Sequence, residues 1–246
     1  MESKGVKIDL ATFKNEIIVN DKLWCFYNSN PYFSPEDKYI IYNAHRDFET
    51  DVFTYNLDSK KIDNLTNTKV SESEPIWSPD GKYVYFSSDK LQPSYPFGTT
   101  NSKIYQMALD KFEAPFKLEE VSKLFKEDDK KAEKKDSKNK KEDEKEDSKK
   151  ELPKVTINAN GLMDRLTQIS PNFGQQQSPT IITKDKKTYI LYISNHSEGK
   201  PQLWKTTLEP FEKNKTEQLS DNSIRNYQLV QAKKNKMICN RFFIIN

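Results

Sequence analysis

The sequence predicts an all-β chain, a β-propeller fragment of four-stranded antiparallel blades, on three observations. PYFSPEDKYIIYNAHRD from Pro31 aligns without a gap on PIWSPDGKYVYFSSDK from Pro75, an offset of 44 residues. That period falls within the roughly 40–45 residues of a four-stranded blade. A more diverged third copy begins at Ser178, SPTIITKDKKTYILYISNHSEGKPQLWKTTLEPFEKNKTEQLSD. Finally, the polar mean hydropathy of −0.92 is a local effect, because residues 126–151 alone hold eleven Lys and eleven Asp or Glu. The rest of the chain is about a quarter charged, as ordinary globular domains are.

Along the chain, VKIDLATFKNEIIVND from Val6 aligns with the third and fourth strands of a blade, Leu10 falling on Leu57. Residues 1–29 are therefore expected to be the last two strands of a preceding blade. Residues 30–72 form the first complete blade. Its inner strand ends at Tyr32-Phe33, where a bulky ring suits the tapered space between blades, and the chain reverses in Ser34-Pro35-Glu36-Asp37-Lys38. The second copy of that turn is Ser78-Pro79-Asp80-Gly81-Lys82. Proline presets φ for the first turn position and glycine accepts the positive φ that closes it. Asp37 stands where Gly81 does, and aspartate tolerates the left-handed region better than most residues. The second strands, YIIY from Tyr39 and YVYF from Tyr83, are β-branched and aromatic on both faces, as strands packed between blades should be. DVFTYNLD from Asp51 and KIYQMALD from Lys103 are the third strands, and KIDNLTN from Lys61 opens a fourth.

Residues 73–173 are a second blade interrupted by an insertion at 112–160, with its fourth strand expected at 164–169. The charge run 126–151 cannot bury enough apolar surface to order itself and reads as a solvated loop. PFKLEEVSKLF from Pro115 has helical apolar spacing and predicts a short amphipathic helix; VTINANG from Val155 predicts a strand. Residues 174–223 are the third blade, its second, third and fourth strands at 189–192, 203–206 and 216–219 and its first turn two residues longer. Residues 224–246 start a further blade. The chain is thus expected to hold three complete blades and two half blades, as a segment of a larger ring would. Pairing of the two halves into a four-bladed ring is the less favoured arrangement.

Composition excludes several functions. The net charge of +3 is small and scattered, unlike the clustered basic face of a nucleic-acid binder, so no nucleic-acid partner is expected. Cys25 and Cys239 stand alone in apolar strand-like surroundings and read as buried thiols, neither a metal pair nor a disulfide framework. No apolar stretch approaches the ~18 residues of a membrane helix, and MESKGVKIDL lacks the apolar core of a secretory signal. No membrane association is expected, and a cytoplasmic place is favoured over a periplasmic one. His45 and His196 are the sole histidines, both expected in the loop after a second strand. Without an Asp or Cys cluster at metal spacing beside them, they read as surface loop residues. Asp47, Asp51 and Asp89 read as strand-end and turn residues. No catalytic, cofactor-binding or metal-binding residue is assigned, and no cofactor is expected.

The tandem (F/W)SP(D/E)xKY unit resembles the WD-like blade repeat shared by TolB, prolyl-oligopeptidase-type propellers and tricorn-type serine peptidases. The succession NAHRDFETDVFTYNLDSKKIDNLTNT, EPIWSPDGKYVYFSSDKLQPSYPFG, a lysine-rich insertion, INANGLMDRLTQISPNFGQQQSP and SNHSEGKPQLWKT is similar to the first propeller of bacterial tricorn-like peptidases. Only the last ten or so residues depart from it. The resemblance implies a propeller that steers or gates peptides ahead of a PDZ-like domain and a serine peptidase region. No GxSxG elbow occurs here, so the family's catalytic residues have no positions to occupy in this chain. The partners so implied are peptide or protein substrates and the remaining blades and catalytic domain of the same parent. The alternative is a TolB-like stand-alone module that binds proteins.

Overall fold

The Ser-Pro turn of each of the first two blades is set by the hydrogen bonds of its serine. In the computed structural model, the Ser78 N–H donates to the Tyr83 carbonyl at 2.9 Å, the Gly81 N–H donates to the Ser78 carbonyl at 3.0 Å, and the Tyr83 N–H donates to Ser78 Oγ at 2.9 Å. Ser34 makes the same three bonds with Tyr39 and Asp37. Gly81 and Asp37 have φ of 69° and 57°, so the aspartate does take the left-handed conformation that the repeat assigns to it.

The structure describes residues 2–22, 29–46, 49–90, 93, 100–112, 152–184, 187–196, 199–230 and 236–239. The charge run, the helix expected at 115–125, Cys25 and Asp47 lie outside them. A hairpin of β1 (Glu2–Ile8) and β2 (Asn15–Lys22) comes first. Three antiparallel sheets follow, each with its strands side by side in chain order. The first is β3 (Tyr32–Phe33), β4 (Tyr39–Arg46), β5 (Glu49–Asn56) and β6 (Ile62–Asn64). The second is β7 (Glu72–Trp77), β8 (Tyr83–Ser88), β9 (Lys103–Ala108) and β10 (Leu166–Gln168). The third is β11 (Gln176–Lys184), β12 (Lys187–Ser194), β13 (Gln202–Leu208) and β14 (Lys215–Gln218). A second hairpin, β15 (Tyr227–Val230) and β16 (Lys236–Cys239), ends the described chain. The fold is all-β, in four-stranded antiparallel sheets.

The strands that are apolar on both faces join neighbouring sheets. On β4, Ile41 points to the second sheet, where it meets Trp77, Val84 and Phe86, while Ile40 and Tyr42 point to Val19 of the first hairpin. On β8, Val84 and Phe86 face the first sheet and Tyr85 faces Ile190, Tyr192 and Trp204 of the third. Tyr227 and Ile224 cover the far face of the third sheet with Leu191 and Leu203. Trp77 fills an inter-sheet space as expected, and its indole N–H donates to the Tyr32 carbonyl at 3.2 Å. Its repeat mate Phe33 remains half exposed. The inner strands β7 and β11 share a bulge, with Glu74 and Ser178 in the left-handed region at φ 55° and 57°. These bulges meet, because both Ser178 N–H and Oγ–H donate to the Glu74 carboxylate.

Three expectations need correction. The two extra residues of the third blade's first turn lengthen β11 and β12 instead, since pairing runs on to Lys184 and Lys187. Residues 164 and 165 belong to a 3-10 turn, Met163–Arg165, and the fourth strand begins only at Leu166. Residues 152–160 join no sheet. The Val155 N–H instead donates to Glu36 Oε1 at 2.9 Å, and the valine side chain is buried against Gly81.

Candidate functional site

The sequence-flagged residues are dispersed. His45 lies within β4, not in a loop, opposite Thr50, and its Nδ1 is 3.3 Å from Thr50 Oγ1. His196 follows β12 as expected and is held by rings, stacked on Phe173 at 3.8 Å and edge-on to Trp204 at 4.5 Å. The two histidines thus sit on different sheets with separate partners. Asp51 accepts hydrogen bonds from Asn64 Nδ2 at 2.8 Å and Thr66 Oγ1 at 3.4 Å, and Asp89 accepts one from the Thr100 N–H at 3.1 Å. Asp51 lies within β5, while Asp89 directly follows the end of β8. Among the described residues there is no group of three or more His, Cys, Asp or Glu that could hold a metal, and no helix long and apolar enough to cross a membrane.

Two features lie outside the sequence-based candidates. The first is a seam of buried polar groups where the inner strands begin. Glu72 opens β7, fully buried, opposite Ser88; Gln176 opens β11 in the same register, opposite Ser194. Glu72 Oε1 accepts hydrogen bonds from Thr68 Oγ1 and from Ser88 Oγ at 3.2 Å, while Oε2 has no partner among the described residues. Burial pushes its carboxyl up to about 7, aided by the charge of Asp51 and opposed by its hydroxyl partners. Nearby, the buried Lys103 ammonium donates to the Asn101 and Gly174 carbonyls, both at 2.7 Å, and burial lowers its pKa.

The second is a cavity of about 340 Å³ at the opposite end of the strands, between the second and third sheets. Strand register builds it. Tyr85 of β8 pairs with Gln106 of β9, which pairs with Thr167 of β10, and this row forms one wall. The facing wall is the row Thr183, Thr188 and Leu208 of the third sheet. The Ser78–Tyr83 turn contributes Asp80 and the connection after β13 contributes Glu209, Pro210 and Asn214. Asn214 Nδ2 donates to the Ile169 carbonyl at 3.1 Å and so ties that connection to the second blade. Burial raises the pKa of both Tyr83 and Tyr85, with the nearby charge of Asp80 adding to it. Both phenols are therefore neutral hydrogen-bonding groups at physiological pH. Nothing local in the sequence links Tyr85 to Gln106; only the pairing register puts them side by side.

Sheets of this kind, packed face to face with inner strands bulged against one another, define a β-propeller architecture. No family model matches the sequence. Among solved structures, the chain is similar to TolB from Acinetobacter baumannii, with a TM-score of 0.52 and 15% identity. It is also similar to the tricorn protease, with a TM-score of 0.54 and 14% identity. The likeness covers 87% of this chain and 36% of the TolB chain, and 96% of this chain and 22% of the tricorn chain. The chain therefore spans about a third of the one and a fifth of the other, and what the two share with it at this identity is the fold.

Proposed function

We propose that the chain is a non-catalytic β-propeller segment that binds polypeptide and steers or gates it as part of a tricorn-like serine peptidase. Its partners in this reading are peptide substrates and the further blades and catalytic region of the same parent. The cavity between the second and third blades carries the reading. Its walls supply neutral donors and acceptors from Tyr85, Gln106, Thr167, Thr183 and Thr188, a lining suited to the amide groups of an extended peptide. The likeness to the tricorn protease and the succession of motifs described above support the assignment to that kind of parent. The test is a peptide-library binding assay on the purified chain. Retention of unstructured peptides that weakens in Thr188→Phe, where the ring fills the cavity, is the expected outcome; a chain that retains no peptide overturns the proposal. The likeness to TolB favours a second reading, a module that binds folded proteins. That reading expects capture of a folded partner with no affinity for the unstructured library.

A further inference from the structure

We propose that the cavity between the second and third blades is a cation subsite, which takes the ammonium of a polypeptide, from a lysine side chain or a free N-terminus. The inference deepens the peptide-binding reading and rests on it. Among the described residues, the charged members of the lining are Asp80 and Glu209, both carboxylates, and no Lys or Arg. Glu209 is partly satisfied, since Lys187 Nζ lies 3.0 Å from its Oε1. Asp80 has no cationic partner among the described residues, yet its carboxylate is held in place. Its Oδ1 accepts hydrogen bonds from Ser78 Oγ at 2.5 Å and from the Lys82 N–H at 3.1 Å, which leaves Oδ2 for a ligand.

The second, independent observation is at the wall. Tyr85 is only 2% exposed and lines the cavity, but its hydroxyl makes no hydrogen bond with any described residue. The hydroxyl borders the cavity space, where an occupant can bond it in place of solvent. The Gln106 amide beside it is equally unengaged among the described residues. An ammonium donates three hydrogen bonds and accepts none, and these groups offer it acceptors: the Asp80 carboxylate, the Tyr85 oxygen and the Gln106 carbonyl. The rings of Tyr83 and Tyr85 add the aromatic faces on which cations and their alkyl stems settle. Asp80 sits at the exposed mouth and Tyr85 on the buried wall, so the charge attracts the ligand and the phenol reads it. The field of Asp80 reaches both phenols, whose pKa values it raises. An anionic ligand would meet two carboxylates there, and an apolar one would leave Tyr85 and Gln106 unsatisfied.

The test titrates the full chain, observed through its backbone amide NMR signals, with three capped tripeptides: acetyl-Gly-Lys-Gly-amide, acetyl-Gly-norleucine-Gly-amide and Gly-Gly-Gly-amide with a free amine. The lysine or free-amine peptide is expected to shift the amides of Gly81, Tyr85 and Gln106, and the stronger of the two identifies the source of the ammonium. The norleucine peptide leaves those amides in place. Tyr85→Phe keeps the ring and weakens binding about tenfold, the loss of one hydrogen bond to a charged group. Asp80→Asn keeps the acceptor that orders the turn and weakens binding up to about fivefold, as a screened pair at an exposed mouth should. Both variants are checked for wild-type amide dispersion. If all three peptides bind alike, or if Tyr85→Phe binds like the parent, the cation subsite is wrong while the peptide reading stands. If n-butylammonium shifts the same amides and no peptide does, the subsite stands and the peptide reading falls.

Discussion

At the scale of single residues, the most informative comparison is Glu72 with Gln176, the same register position in successive blades. Gln176 is fully bonded: its Oε1 accepts from Ser170 Oγ, and its Nε2 donates to the Pro171 and Phe173 carbonyls, both at 2.9 Å. Glu72 has the same shape, but as a carboxylate it can only accept, and Oε2 finds no partner among the described residues. A protonated Glu72 is the closer mimic of Gln176, in agreement with a pKa raised from 4.5 to about 7. A raised carboxyl pKa means that the folded chain keeps a proton which the unfolded chain has already released. Stability is then greatest below pH 4.5 and falls as pH rises to about 7, by roughly 3 kcal/mol. Urea unfolding between pH 4 and 8 should show this slope in the parent and lose the Glu72 component in Glu72→Gln; parallel profiles would refute the assignment. Glycines give a second contrast. A Cβ on Gly174 (φ 65°) would meet Ser194 Oγ and His196 Cβ, each at 2.7 Å, whereas one on Gly199 (φ 68°) would meet open space. Gly199→Ala should cost only the left-handed strain, about 1–2 kcal/mol, and Gly174→Ala clearly more, as their urea midpoints would report.

At the scale of elements, the return of the insertion is organised by Arg165. Its guanidinium donates to the carbonyls of Ala108 at 2.9 Å, Asn160 at 2.7 Å and Asn158, which clamps the returning chain to the end of β9. The Asn158 N–H adds a bond to the Leu109 carbonyl at 2.8 Å, and Leu162 is buried in the core between the first two sheets. Arg165→Lys removes the planar fork and should cost about 2 kcal/mol, with faster hydrogen exchange at the Asn158 amide and proteolytic cleavage within residues 152–162. Unchanged exchange there would mean that the clamp carries no energy. This element also shows where a sequence reading stops. The sheets were legible because turn, aromatic and strand recur together, and Asp37 could be matched to Gly81 from conformational preference alone. Nothing local distinguishes Val155, whose β-branched run suits a strand, from a segment that binds Glu36 across 119 positions of sequence. The 3-10 turn at Met163–Arg165 is likewise tied to a distant element, through the Arg165 bond to the Ala108 carbonyl of β9. His45 was misplaced because β4 runs on to Arg46 through pairing with β5. The cavity was invisible for a related reason: Tyr85, Gln106 and Thr167 become one wall only once three strands are in register.

At the scale of the whole molecule, each core is shared by neighbours only. Trp77, Val84 and Phe86 pack with Ile41 and Val52 of the first sheet, while Tyr85 and Ile104 pack with Ile190 and Trp204 of the third. The second sheet is the common member, and its two faces are chemically separate layers. Stability in such an array approximates a sum of unit terms and nearest-neighbour interfaces, as in other repeat proteins. Trp77→Ala tests this directly. It removes the largest side chain of the first interface and the hydrogen bond to the Tyr32 carbonyl, at a cost of about 3–5 kcal/mol. If interfaces act locally, native-state hydrogen exchange should accelerate at Ile41, Val52 and Val84, while the amides of Leu191, Tyr192 and Leu203 in the third sheet keep their protection. The Glu74 to Ser178 link is one of the bonds through which damage would pass to the third sheet, and it starts from β7, the strand that carries Trp77, so Ser178 should be the first residue of that sheet to respond. An equal rise in exchange across all three sheets would show instead that they unfold as one cooperative unit.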